Sequence, residues 1–415
     1  MGTGASSKAA GPAKIAVASS ASALAEPPAR VESARRCEGS SLAARRNFLS
    51  LPLKATQRAP SLFRRKTPPN YVRNSIQRID AIENYYTLGH EVMRSGHPGM
   101  LLLYGRRHKD ARVFVVKIRE KATSFVGGES DERDWRYSTE LVLNLPPSKT
   151  IARFYEVLED DDAYYVIMEK IDGEDLWEVM EQKGCFSVFE CREVIQQLLQ
   201  AVSDLHDKGC LHKDIKLENV MVEAAPSPSR FLDSLRVIQA WSPDLRSVLR
   251  STTKDSKDTS STRASFLSTT STTSVTSESS PRVKLIDFDT LEEASPDAFS
   301  TSVVGTDQYI APEAYAGKYT QASDVFSVGV ILYKLLTGEF PFDSAMFSDE
   351  AGQNWVGSPQ MQEIKDRLEH FEVDYSRPPL DSEPLALDLC RSMLLANESE
   401  RPTAARALEH DWFCR

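Results

Sequence analysis

The hydrophobic pattern of this chain changes period part-way along, and that change limits the folds open to it. Leu101-Leu102-Leu103-Tyr104 and Val113-Phe114-Val115-Val116 are short apolar runs around a polar turn, Arg106 to Asp110, which is a hairpin signal. Ile151 to Leu158 and Tyr164 to Met168 flank a second, acidic turn, Glu159 to Asp162. From Leu176 the period lengthens. Val194, Ile195, Leu198, Leu199, Val202 and Leu205 recur at helical spacing, and so do Val325, Val328, Ile331, Leu332, Leu335 and Leu336, each set lining one helix face. The pattern predicts an α+β chain with a small antiparallel-sheet lobe followed by a larger, mainly helical one.

Two segments escape this pattern. Residues 1–80 are rich in Ala, Ser, Pro and Arg and carry 14 Lys/Arg against 4 Asp/Glu. That segment is therefore +10, and the net −10 of the whole chain leaves −20 on the remainder. Such composition predicts a disordered basic arm, read either as a solvated leader or as an interaction arm. The second segment is 223–281, where 20 of the 30 residues in 251–280 are Ser or Thr; it predicts a disordered insert. Just ahead of that run, Phe231, Leu235, Ile238, Trp241, Leu245 and Val248 are spaced either for a docking helix or for a transient one.

Met1-Gly2-Thr3-Gly4-Ala5-Ser6 fits an N-myristoylation signal at Gly2. One acyl chain binds a bilayer only marginally, and the pairs Arg35-Arg36, Arg45-Arg46 and Arg64-Arg65 would add a second signal on anionic lipid. An Arg/Ser/Ala-rich, acid-poor start also fits an organelle transit peptide, and both readings stay open. The six cysteines include no CxxC pair, which points to free thiols in a reducing compartment. No apolar run reaches the length of a membrane span. The expectation is a cytoplasmic protein with peripheral membrane contact and no nucleic-acid partner.

Phosphoryl transfer needs phosphates held, charge neutralised by a metal ion and a hydroxyl aimed in line, and residue types for each task occur here in order. Within His212-Lys213-Asp214-Ile215-Lys216-Leu217-Glu218-Asn219, Asp214 suits a proton acceptor, Lys216 a γ-phosphate contact and Asn219 a metal ligand. Val283 to Ile286 is a short apolar strand running into Asp287-Phe288, a carboxylate at a strand end beside a buried aromatic, which suits a second metal ligand. Taken singly, each acid reads as a surface charge; the ordered set is what carries the argument.

HKDIKLEN resembles the catalytic loop of eukaryotic protein kinases, and Asp287-Phe288-Asp289 resembles their DFG motif. Gly305-Thr306-Asp307-Gln308-Tyr309-Ile310-Ala311-Pro312-Glu313 is similar to the segment closing their activation loop. Ser323-Asp324-Val325-Phe326-Ser327-Val328-Gly329 resembles the buried helix that follows, and Arg401-Pro402 the late arginine that pairs with Glu313. The resemblance covers roughly 82–415 apart from the insert. It implies a bilobal kinase domain, 82–170 and 171–415, whose small lobe holds a sheet and one helix. It further implies a serine/threonine kinase, since Lys216 and Thr306 fit that type, most similar to the calmodulin- and calcium-dependent group. ATP and Mg²⁺ would be its cofactors and proteins its substrates.

By the same resemblance Lys117 would hold the α- and β-phosphates, and Gly96, Gly99, Leu101 and Val115 would border the nucleotide. Met168 would be the gatekeeper, the Glu169 carbonyl and Ile171 N–H would bind adenine, and Asp175 would sit near the ribose. Asn219 and Asp287 would take the metal. Asp175 and Glu218 lie where related kinases meet a basic residue of the substrate. Ser300, Thr301 and Ser302 would be activation-loop phosphosites. The partner of Lys117 falls on Glu140, with Thr139 at the ungapped position and Glu132 a poorer fit. Three departures stand out: Arg94 for the first loop glycine, Lys213 for the usual arginine and Asp289 for the DFG glycine. They leave a pseudokinase or nucleotide-binding scaffold at a membrane as the alternative.

Overall fold

The computed structural model describes residues 74–93, 99–125, 127–223, 280–295, 299–347 and 353–414. The Gly2 motif, Cys37, Arg94, Gly96 and residues 224–279 of the insert lie outside the described residues. Strands β1 (Gln77–Arg78), β2 (Tyr86–Met93), β3 (Met100–Arg107), β4 (Val113–Glu120), β5 (Phe154–Glu159) and β6 (Ala163–Met168) form one sheet in the order β1-β5-β6-β4-β3-β2. All neighbours are antiparallel except β1 and β5, so the sheet is mixed rather than purely antiparallel. The parallel edge comes from residues 74–80, which composition assigns to the arm. Ile76 and Ile79 dock on the apolar clusters of this lobe, and that local burial outweighs the polar character of the surrounding sequence.

The two faces of the sheet follow the two-residue period of a strand. On β6, Tyr165 and Ile167 join Ile82, Tyr86, Phe114 and Val116, while Tyr164 and Val166 join Val157 and Trp135. A one-turn helix, α1 (Lys121–Ser124), precedes α2 (Glu129–Leu143), the long helix expected beside the sheet. Glu129, Asp131 and Glu132 occupy the first turn of α2, where the helix dipole favours negative charge. Its Trp135, Val142 and Leu143 are buried.

The larger lobe contains β7 (Gly173–Asp175), α3 (Leu176–Lys183), α4 (Val188–His206), β8 (Cys210–Leu211), β9 (Val220–Glu223), β10 (Arg282–Leu285) and β11 (Glu292–Glu293). It continues with α5 (Gln321–Thr337), α6 (Pro359–His370), α7 (Pro384–Met393) and α8 (Ala404–Leu408). A capping box of Ser187 and Glu190 starts α4, satisfying two of the backbone N–H groups at that end. The periodic residues Val194, Ile195, Leu198, Leu199, Val202 and Leu205 are buried, as the sequence spacing predicts. Helix α5 is buried on nearly every side from Ser323 to Leu336 and packs against α4 at the centre of the lobe.

β9 and β10 pair antiparallel, from Val220 opposite Leu285 to Glu223 opposite Arg282. The chain therefore leaves for residues 224–279 and returns at facing positions. This pairing also sets the site, because Asn219 lies just before β9 and Asp287 just after β10; the Ile286 N–H donates to the Asn219 carbonyl at 2.9 Å. Among the described residues no helix is long and apolar enough to cross a membrane.

Candidate active site

The loop after β8 is held from below by α5. Buried Asp324 accepts hydrogen bonds from the backbone N–H groups of His212 and Lys213, both at 2.9 Å, and from His206 Nε2 at 3.0 Å. Burial alone would raise this carboxyl, but the His206 hydrogen bond and charge outweigh it and pull it below its ordinary value. Lys213 adopts φ 71°, a left-handed conformation uncommon for a residue with a side chain. Gly305 packs against the same point, where an added Cβ would lie 2.9 Å from the Lys213 carbonyl oxygen. His212 Nε2 donates to the Ile286 carbonyl at 3.1 Å, which leaves Nδ1 to accept from the Asp214 N–H at 3.3 Å.

Asp214 stands at the centre of a polar cluster. Its Oδ1 accepts from the Thr306 hydroxyl at 2.9 Å, and its Oδ2 lies 2.8 Å from Lys216 Nζ. Lys216 also donates to Thr306 Oγ1 at 3.0 Å. Asn219 Nδ2 donates to the Asp214 carbonyl at 2.8 Å and to Oδ2 at 3.2 Å. Residues 92 positions apart are thus joined around one carboxylate.

Asp287 has φ 60°. Phe288 turns inward, 4% exposed, against the rings of His212 and Phe154. Lys117 on β4 donates to Asp287 Oδ1 at 3.0 Å and forms a second ion pair with Asp289. Burial by itself would lower the Lys117 ammonium, but the two carboxylates outweigh it and hold it well above the ordinary lysine value. Burial likewise opposes ionisation of Asp287, and the Lys117 charge prevails and holds it below the usual carboxylate range. Glu140, the expected partner, instead accepts from the Ile76 N–H at 3.4 Å, while Thr139 is buried on α2. The carboxylates beside Lys117 therefore come from the DFD segment. Asp289 reads in sequence only as a charge near the metal.

The other expected residues surround this centre. Leu101 on β3 and Val115 on β4 belong to the same sheet, with Val115 opposite Met168 on β6. Gly99 has φ 72°, and a Cβ there would overlap Thr123 Oγ1, so the bend requires glycine. Met168, Glu169 and Ile171 lead from β6 toward β7. The Glu169 side chain is ion-paired with buried Lys284 at 2.6 Å, a contact no local motif announces. Asp175 caps α3, accepting from the Glu178 N–H at 2.8 Å. Burial, reinforced by the Glu178 and Glu218 charges, pushes its carboxyl up to about 6 against that hydrogen bond. Burial also raises Glu218, whose Oε2 is buried with no hydrogen-bond partner among the described residues.

In the activation segment, Lys213 Nζ is 2.7 Å from Glu292 Oε2 and lies over the Tyr319 ring at 4.3 Å. A carboxylate on β11 thus meets the lysine expected to meet a phosphate. Ser300 N–H donates to the Gly317 carbonyl at 2.8 Å, the Val356 N–H donates to the Thr301 carbonyl at 3.0 Å, and Ser302 bridges to Trp355. Further down, Arg401 grips Glu313 through two parallel bonds of 2.8 and 2.9 Å.

A small sheet lobe set beside a larger helical one, with Lys117 joined to Asp287 and Asp214 joined to Lys216 and Asn219, defines the class of fold. The protein kinase domain family matches residues 95–233 and 273–413, more than half of the chain; the chain belongs to the protein kinase family. It is similar to CDPK-related kinase 7 of Arabidopsis thaliana, 27% identical over 307 residues, covering 74% of this chain and 41% of that protein. It is also similar to Calcium-dependent protein kinase 4 of Plasmodium falciparum (isolate 3D7), 24% identical over 343 residues, 81% of this chain and 51% of that protein. A third relative is Calcium/calmodulin-dependent protein kinase type 1 of Macrobrachium nipponense, 26% identical over 337 residues, covering 81% and 77%. The chain spans about half the length of the first two. These relatives fall in the calcium- and calmodulin-dependent group that the sequence resembles.

Proposed function

We propose that this protein transfers the γ-phosphoryl group of Mg-ATP to serine or threonine hydroxyls of proteins, with a preference for a basic residue near the acceptor. The observation that carries the reading is the Asp214–Lys216–Thr306 triangle with Asn219 locked to Asp214. The acceptor oxygen attacks the γ-phosphorus, the bond to the β,γ-bridging oxygen breaks and ADP leaves. Asp214 takes the hydroxyl proton, and Lys216 offsets the charge gathering on the transferred group. Lys117 holds the α- and β-phosphates. Met168, the Glu169 carbonyl and the Ile171 N–H border the adenine.

Asn219 and Asp287 would hold Mg²⁺. Among the described residues no three His, Cys, Asp or Glu side chains form a protein-only metal cage. A single Asp with an Asn suits Mg²⁺, which keeps water and substrate phosphates in its shell. When bound, the ion neutralises phosphate charge and orients the oxygens.

The basic preference rests on Asp175 and Glu218, two carboxylates held near each other in partial burial, one with a buried oxygen that has no partner among the described residues. A guanidinium would supply that missing charge and donors. The test is transfer from Mg-ATP to two serine peptides, with and without an upstream arginine. The arginine peptide is expected to show kcat/KM about tenfold higher. Its advantage should shrink as pH falls through about 6, where Asp175 takes up its proton and loses its charge. In Asp175→Asn that pH dependence should flatten. No transfer to either peptide overturns the kinase reading, whereas equal use of both overturns only the basic preference.

Attachment to an anionic membrane belongs to the same proposal, supported by the Gly2 motif and the +10 charge of residues 1–80. Gly2→Ala is expected to move the protein from the membrane pellet to the supernatant. Unchanged fractionation would remove this part.

A further inference from the structure

The DFD segment places two carboxylates where one would suffice. In Asp287-Phe288-Asp289 the left-handed turn at Asp287 sends Phe288 into the core, and the acids on either side come round to the same ammonium. Lys117 Nζ donates to Asp287 at 3.0 Å and also to Asp289. The Lys117 side chain is only 12% exposed, so phosphate oxygens approaching it meet two negative charges already in place.

We propose that Asp289 is an internal counter-ion to Lys117 that disfavours metal-free nucleotide and so makes nucleotide binding depend on a divalent cation. The inference rests on the ATP reading above and deepens it. Without a metal ion, both carboxylates stay with Lys117 and oppose the polyphosphate by like-charge repulsion at close range in a partly buried setting. With Mg²⁺ bound, Asp287 would be among the residues holding the cation, and the positive charge would offset the remaining acid. Asp289 touches Lys117 in this structure and is argued to act through it, which makes it a positioning residue. It selects the metal-loaded form of the nucleotide rather than taking part in the chemical step.

Titration calorimetry with ADP separates this role from turnover. Metal-free ADP, in the presence of chelator, and Mg-ADP are titrated into the wild-type protein, Asp289→Asn and Asp289→Glu. Asp289→Asn is expected to bind metal-free ADP about tenfold more tightly than wild type, with a smaller change for Mg-ADP. Asp289→Glu restores the charge and should return to the wild-type preference, a rescue that a purely structural role would not give. Asp289→Gly, which removes charge and side chain together, tests the same point if the Asn variant fails to fold. Unchanged or weakened metal-free binding in the charge-removed variants overturns the proposal, and so does a Glu variant that behaves like Asn. Failure of every form to bind Mg-ADP overturns the nucleotide reading itself, and the counter-ion role with it. Binding of Mg-ADP without a charge effect overturns the counter-ion role alone.

Discussion

Asp214→Asn is expected to lower turnover on a peptide hydroxyl about a thousandfold and to leave Mg-ADP affinity within about twofold, because the phosphate and adenine contacts lie on other residues. The amide keeps the size of the side chain but has no basic oxygen to take the proton. It must also place an NH₂ group among donors, since Thr306, Lys216 and Asn219 all point at the present carboxylate. Steady-state kcat with parallel calorimetry checks both halves. Turnover near wild type would remove Asp214 from the role of base, and lost nucleotide binding would show that the loop had collapsed.

Arg401→Ala carries the largest expected effect on stability. Arg401 is fully buried and Glu313 is 6% exposed. Besides its two bonds to Glu313, the guanidinium donates to the carbonyls of Leu395, Ala322 and Ala396 at 2.6, 3.1 and 3.0 Å. Truncation strands a buried carboxylate whose one remaining side-chain partner among the described residues is the Ser323 hydroxyl, at 2.8 Å. The cost should be about 3–5 kcal/mol, a fall in Tm on the order of 10 °C in a thermal melt. The double variant Arg401→Met, Glu313→Leu removes both charges, so it should recover much of that loss. A double variant no more stable than the single one would show that the carbonyl contacts, rather than the stranded charge, dominate.

What could be read in the sequence was local or had a period. The α4 face was legible because that helix repeats its apolar residues at a spacing only one burial mode satisfies, whereas α5, whose spacing also reads as a single face, is buried on nearly every side. The Asp214 loop and the Asp287 strand end were legible because their chemistry is packed into a few consecutive residues. Edge strand β1 was not, since its two apolar anchors, Ile76 and Ile79, sit in a polar, proline-containing stretch without alternation. The ion pairs joining Lys117 to Asp289, Lys284 to Glu169 and Lys213 to Glu292 were equally hidden. They connect residues 172, 115 and 79 positions apart, and charge alone does not say which acid a lysine will find. Glu140 shows the same limit: a count along α2 puts it at or next to the right level, and only the packing of residues 74–79 shows what its carboxylate accepts.

Glu223 and Arg282 face each other across a closed β-pair, so the two ends of the segment between them are already brought together by the fold. The entropy of closing such a loop grows only as the logarithm of its length, about 0.6 kcal/mol for each doubling. A change in the length of chain between Glu223 and Arg282 therefore adds little to the cost of bringing these two ends together.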